Sequence, residues 1–161
     1  MKKTVALVLL ALLALGLTAC AKTTETKSEN QITVFAAAPL EQALTEIAQA
    51  YTNEDNEQAP KTGVVLFSFK ATDALGTDLA DGAYCDIFIP EGVEQLDGRD
   101  LAGPAVLMIS AEAPADGSAG AVYPVALLNM SDRQEAAQAF IDYFKSDAAK
   151  SVWEKYGFTV G

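Results

Sequence analysis

Residues Ile32 to Tyr51 read ITVFAAAPLEQALTEIAQAY: a β-branched strand, a run of small residues, then a helix opening at Pro39 or Leu40. This is the pattern of an anion cradle. The first N–H groups of a helix lack internal partners and lie at the positive end of its dipole, so a small-residue loop lets an oxyanion reach them. Pro39 interrupts that cradle. Proline suits a helix start, where its missing N–H would be unpaired anyway, but it offers a ligand neither an N–H nor a hydroxyl. A second strand-to-helix junction, FSFKATDALG from Phe67 to Gly76, carries Thr72, whose hydroxyl and N–H suit a helix N-cap or an anion ligand equally well. Asp73 is the usual acid of a first helical turn, or a carboxylate that repels an anion if it faces the same cleft. Lys70 is an offsetting charge there or a solvated strand-end lysine.

Other chemistries are poorly supplied. The 161 residues contain no histidine, which removes His-dependent triads, His-ligated zinc and imidazole acid–base catalysis. No nucleophile with a base and no metal cluster is visible, so the expectation is no enzyme, no cofactor and no metal. The acidic run from Thr52 to Lys61 lacks the glycine and ligand spacing of a calcium loop and reads as a solvated loop. A formal net charge of −11 argues against nucleic acid and against adhesion to anionic lipid.

The chain opens with Lys2 and Lys3, runs apolar from Val5 to Leu17, and reaches Leu17-Thr18-Ala19-Cys20, which resembles the bacterial lipoprotein lipobox. The apolar stretch is too short for a hydrocarbon core that needs about 20 residues. Residues 1–19 therefore read as a cleaved signal peptide. The resemblance implies lipidation of Cys20, and hence an extracytoplasmic location with the chain held to the bacterial membrane at that residue. The polar stretch 20–31 is a flexible tether. Cys85 is then left without a partner, so no disulfide framework is expected and a buried small hydrophobe is its ordinary role.

Folding starts at Ile32. Leu40, Ala43, Leu44, Ile47, Ala48 and Tyr51 follow helical spacing. Val64 to Phe69 is a strand, Thr72 to Asp81 a helix stopped at Gly82, and Asp86 to Ile89 a third strand. This β, α, β, α, β order without hairpins predicts parallel strands. Residues 90–104 form a connection with a short helix around Val93 to Leu96. Further strands follow at Ala105 to Ile109 and Val122 to Leu128, separated by a loop at Ala113 to Gly120, and Pro124 calls for an edge or a strand start. Ser131 with Gln134 makes a capping box for an apolar helix ending at Phe144. Ser146 caps a second helix, reaching Trp153 and Tyr156, with Gly157 and Phe158 as its stop.

Four segments resemble one family, the molybdate- and tungstate-binding receptors of ABC importers: ITVFAAAPLEQALTEIAQAY; FSFKATDALGTDLADGAYCDIFIP from Phe67 to Pro90; APADGSAGAVYPVALL; and the run from Gln134 through AFIDYF to Phe158. The resemblance implies an α/β lobe of the type II periplasmic-binding-protein fold, with a mostly parallel sheet flanked by helices. Such receptors hold the oxyanion between two lobes, the first built from both ends of the chain. Here the resemblance covers that first lobe, residues 32–161, and breaks between about Leu96 and Gly103, where the second lobe would be inserted. That lobe's backbone amides and tyrosine hydroxyl find no match, since Tyr123 belongs to the closing segment. Pro39 and Thr72 occupy the positions of the family's two first-lobe ligand serines. The expectation is a lipoprotein with molybdate or tungstate as candidate ligand, bound weakly or not at all. An ABC permease is its partner if it is functional, and its exposed cleft face is open to self-association. The alternative is a one-lobe remnant, or a lipid-anchored interaction module without transport activity.

Overall fold

The computed structural model describes residues 31–53, 64–105 and 107–161; the expected signal segment 1–19, most of the tether and most of the acidic loop lie outside them. A six-stranded sheet runs in the order β2-β1-β3-β5-β4-β6. Its strands are β1 (Gln31–Ala37), β2 (Val64–Lys70), β3 (Ile87–Ile89), β4 (Leu107–Ala111), β5 (Val122–Leu127) and β6 (Phe158–Val160). The helices are α1 (Glu41–Tyr51), α2 (Thr72–Ala80), α3 (Gln134–Tyr143) and α4 (Asp147–Lys155), with short 3-10 turns at Ala38–Leu40 and Val93–Leu96.

Period-two alternation in the strands divides the apolar side chains between two cores. Val34, Ala36, Ile87, Ile89, Ile109 and Val125 point to the face covered by α1, α3 and α4. Aromatic rings fill that core. Trp153 meets Phe144 and Phe158 edge-on at 5.4 and 6.1 Å and donates its indole N–H to the Phe144 carbonyl at 3.3 Å. Phe35, Phe88 and Leu128 face the other way, against Leu75 and Leu79 of α2 and against Leu96 and Leu101 of the connection.

The expected α/β lobe with a helix-flanked sheet is what forms, but only its first part is parallel. β1 pairs parallel with β2 and β3, whereas β3 with β5, β5 with β4, and β4 with β6 are antiparallel. The mostly parallel expectation thus holds for the strands joined through helices and fails for the rest. β6 itself was not expected. Gly157 takes φ 77° and stops α4 as predicted, and Phe158 then starts a strand instead of only packing on the helix end.

Pro124 sits inside a central strand, not at an edge, and the register explains how. Opposite it on β4 is Met108, whose N–H and carbonyl are both bonded to Gly161 on the far side. That pair needs no hydrogen bond from Pro124. Toward β3 the pairing stops at Phe88 with Ala126, before Pro124 is reached.

Two expected caps are replaced by longer-range bonds. α2 starts after Ala71 with no side-chain cap, because the Thr72 hydroxyl instead accepts the Glu91 N–H at 2.9 Å. Ser131 makes no capping box with Gln134. Its hydroxyl donates to Asp86 Oδ1 at 2.6 Å and accepts the Arg133 N–H at 3.1 Å. Ser146 does cap α4, accepting the Ala149 N–H at 3.1 Å.

Asp86 is wholly buried, and beyond Ser131 it accepts the Thr33 N–H at 2.7 Å and the Tyr84 hydroxyl at 2.6 Å. Burial, followed by the bonds to Asp132 and Asp86, pushes the Tyr84 phenol up to about 12. The neighbouring Cys85 is buried as expected, its thiol bonded to the Ile87 carbonyl and pushed up, mainly by burial, to about 12. Asp86→Ala strands the Thr33 N–H and the Ser131 hydroxyl proton, while Tyr84 can still donate to Asp132, and urea unfolding is expected to show a loss of about 2 kcal/mol or more. Ser131→Ala, which removes one of those bonds, should cost about 1 kcal/mol.

Candidate ligand-binding site

An open pocket of about 560 Å³ lies beyond the carboxyl ends of β1 and β2 and the amino end of β5. Ligands of open α/β sheets bind at such strand ends. Ala37, Ala38 and Pro39 form one side, and Lys70, Ala71, Thr72 and Asp73 a second. Both predicted positions, Pro39 and Thr72, are therefore brought together.

What they present differs from the cradle that the sequence suggested. Pro39 sits within the 3-10 turn that leads into α1, so no N–H is available at that point of the turn. Thr72 is the first residue of α2, and its hydroxyl oxygen already accepts the Glu91 N–H while its proton remains able to donate. Lys70 pairs with Asp78 at 2.5 Å, so the one lysine among the described residues lining the pocket spends its charge on a neighbour of its own strand–helix unit. Asp73 is among the residues lining the pocket and is also the acid of the first turn of α2.

A third wall comes from residues that no motif flagged. Glu91, Gly92, Glu94 and Gln95, from the connection between β3 and β4, also line the pocket, adjoining the Thr72 wall through the Glu91 N–H. Gly92 turns the chain with φ 91° and donates its N–H to the Val122 carbonyl at 2.8 Å. Its proximity to Pro90 was the only signal of a tight turn here. Tyr123 does not line the pocket. It is buried against Phe158, and burial first, then the Glu91 carboxylate, raises its hydroxyl.

The family of extracellular solute-binding proteins of bacteria matches this chain over residues 32–109 and again over 108–159. The chain belongs to that family. Among its relatives, the molybdate-binding protein ModA of Mycobacterium bovis is 34% identical over 101 residues, covering 58% of this chain and 36% of the relative. ModA of Mycobacterium tuberculosis matches to the same extent. YvgL of Bacillus subtilis, described as an ABC transporter substrate-binding lipoprotein, is 42% identical over 48 residues, which are 30% of this chain and 18% of that protein. The chain thus spans about a third of the length of the mycobacterial relatives it matches. In fold it resembles the substrate-binding domain assigned to a molybdenum ABC transporter of Clostridium difficile. That match has a TM-score of 0.62 at 16% identity and covers 80% of this chain and 98% of that one. The sulfate-binding protein SubI of Mycobacterium tuberculosis H37Rv gives 0.59 at 13%, covering 80% and 86%.

Gly92 is the test of the third wall. A Cβ there would meet the Glu94 carboxylate, the movable end of an exposed side chain, so the cost lies in the backbone, where φ 91° with ψ 135° is close to the region that only glycine adopts; Gly98, with φ 72°, has open space around it. Gly92→Ala should lower stability by about 2 to 3 kcal/mol and Gly98→Ala by only about 1, read from thermal melts of both.

Proposed function

We propose that the chain is an extracytoplasmic solute-binding lipoprotein of the molybdate-receptor type, reduced to one lobe, whose hold on molybdate or tungstate is weak or lost. The observation that carries this reading is the pairing of Pro39 and Thr72 in one pocket, where one of two first-lobe ligand positions has no donor. Two missing hydrogen bonds to a charged ligand, at about 1.5 to 3 kcal/mol each, amount to roughly 3 to 6 kcal/mol. That is on the order of a hundredfold to ten-thousandfold in affinity, before any contribution of an opposing lobe. Support for the missing lobe comes from the family match, which falls into two segments meeting at residues 108–109. The described part of the connection, residues 90–105, is consistent with it.

Transport would require an ABC permease to receive the solute. The second reading, a lipid-anchored module without transport activity, gains support from the way the connection is integrated. Leu96 and Leu101 pack into the second core, and Ala102 and Asn129 donate N–H bonds to Leu127 and Asp100 at 2.9 Å each. A lobe closed in this way does not depend on a partner lobe to bury its apolar surface.

Calorimetry with molybdate on the chain from Ala21 onward should give weak heats or none, and tight binding by a monomer would sink the proposal. Binding confined to a dimer would point instead to a cleft shared by two copies. Pro39→Ser should raise oxyanion affinity by about tenfold or more if this turn is a half-site. For the anchor, bacteria fed labelled palmitate should label the wild-type chain and leave Cys20→Ser unlabelled; equal labelling of both would remove Cys20 from the account.

A further inference from the structure

The connection does more than bypass an absent lobe. Its first residues are tied to both neighbouring walls of the pocket: the Glu91 N–H to the Thr72 hydroxyl at 2.9 Å, and the Gly92 N–H to the Val122 carbonyl at 2.8 Å. Farther along, Leu96 packs into the second core and the Arg99 guanidinium lies 5.5 Å from the centre of the Phe88 ring. The short turn between these anchors carries two carboxylates. That of Glu94 folds back against the Cα of Gly92, where a Cβ would meet it. That of Glu91 lies near enough to Tyr123 for its charge to add to the effect of burial on the phenol. Asp73 lines the pocket from the first turn of α2, and the lysine of the pocket is paired with Asp78.

Among the described residues, those that line the pocket thus include three acids, Asp73, Glu91 and Glu94, beside a lysine, Lys70, that is paired with Asp78. A dianion entering it is opposed by like charges on two of its walls, within a distance over which salt only partly screens them. We propose that the connection is an anion-excluding wall, in which Glu91 and Glu94, with Asp73 on the adjoining wall, are specificity-determining residues that turn dianions away. The inference rests on the reading of this pocket as the solute site. It differs from the effect of Pro39, because missing donors weaken every oxyanion equally at any ionic strength, whereas a repulsive wall acts through charge and fades as salt is added.

The test uses the full chain in detergent with molybdate as the probe, comparing wild type, Glu91→Gln/Glu94→Gln and the triple variant that adds Asp73→Asn. Affinity for molybdate should rise on the order of tenfold for each carboxylate removed. In the double variant, which keeps Asp73, affinity should increase when sodium chloride is raised from low to physiological concentration, the reverse of an attractive site. Glu135→Gln, outside the pocket on α3, should change nothing. If the wild type binds molybdate tightly, both the weak-binding reading and the wall fall. If the wild type binds weakly and the triple variant is no tighter, the wall alone is overturned and the effect of Pro39 stands. Should the triple variant melt early, Glu94→Gln by itself decides the matter through its salt dependence, and a flat response overturns the proposal.

Discussion

The buried carboxylate of Asp86 is the constraint on which the rest of the lobe depends. A charge with no exposure persists only where its lone pairs are met, and here a backbone N–H, a phenol and a serine hydroxyl meet them. Each donor comes from a different part of the chain: β1, the turn before β3, and the loop leading into α3. The backbone of the same residue adds two bonds, donating to the Thr33 carbonyl and accepting the Leu128 N–H. One position thereby sets the register of β1 against β3 and joins both to the end of β5. With those registers set at one end of the sheet, the strand ends that form the pocket are aligned at the other.

Elements governed by local rules were legible. The apolar stripe of α1, the Ser146 cap and the Gly157 stop depend on residues within a few positions of one another, and each stands where the pattern put it. The bonds that were missed are long-range. Thr72 looked like a cap because a hydroxyl stood at a helix start, but the N–H of Glu91, 19 residues on, reaches it. Ser131 looked like half of a capping box, but Asp86, 45 residues away, holds its hydroxyl. Strand direction failed for a similar reason. Helical crossovers imply parallel neighbours, yet nothing in the sequence of β5 says that it will insert beside β3 in the opposite sense.

The pocket was half legible. Two of its walls follow strand ends whose small residues and helix starts can be read directly, and Pro39 and Thr72 were found that way. The third wall lies in PEGVEQLDG, which reads from sequence only as a connection with a short helix. Its importance comes from Gly92, whose positive φ turns the segment inward, and from two backbone bonds that no motif encodes. Pro124 fits the same picture, because a strand residue without an N–H is tolerated where the β3 pairing has ended and the connection leaves the sheet.

The interleaving of the two ends of the chain has a consequence in time. Residues before the connection find their partners after it: β3 beside β5, α1 against α4, and Glu46 bound to Lys155 and Tyr156 across more than 100 positions. A chain emerging from its amino end can pair β1 with β2 and β3, but one face of that sheet is covered only by α1 until Phe140, Phe144 and Trp153 arrive. Contacts of such separation are slow to form, because a long loop must close before they stabilise anything. The half-made sheet, with Val64 and Leu66 exposed along its edge strand, is therefore the species that a chaperone would hold longest.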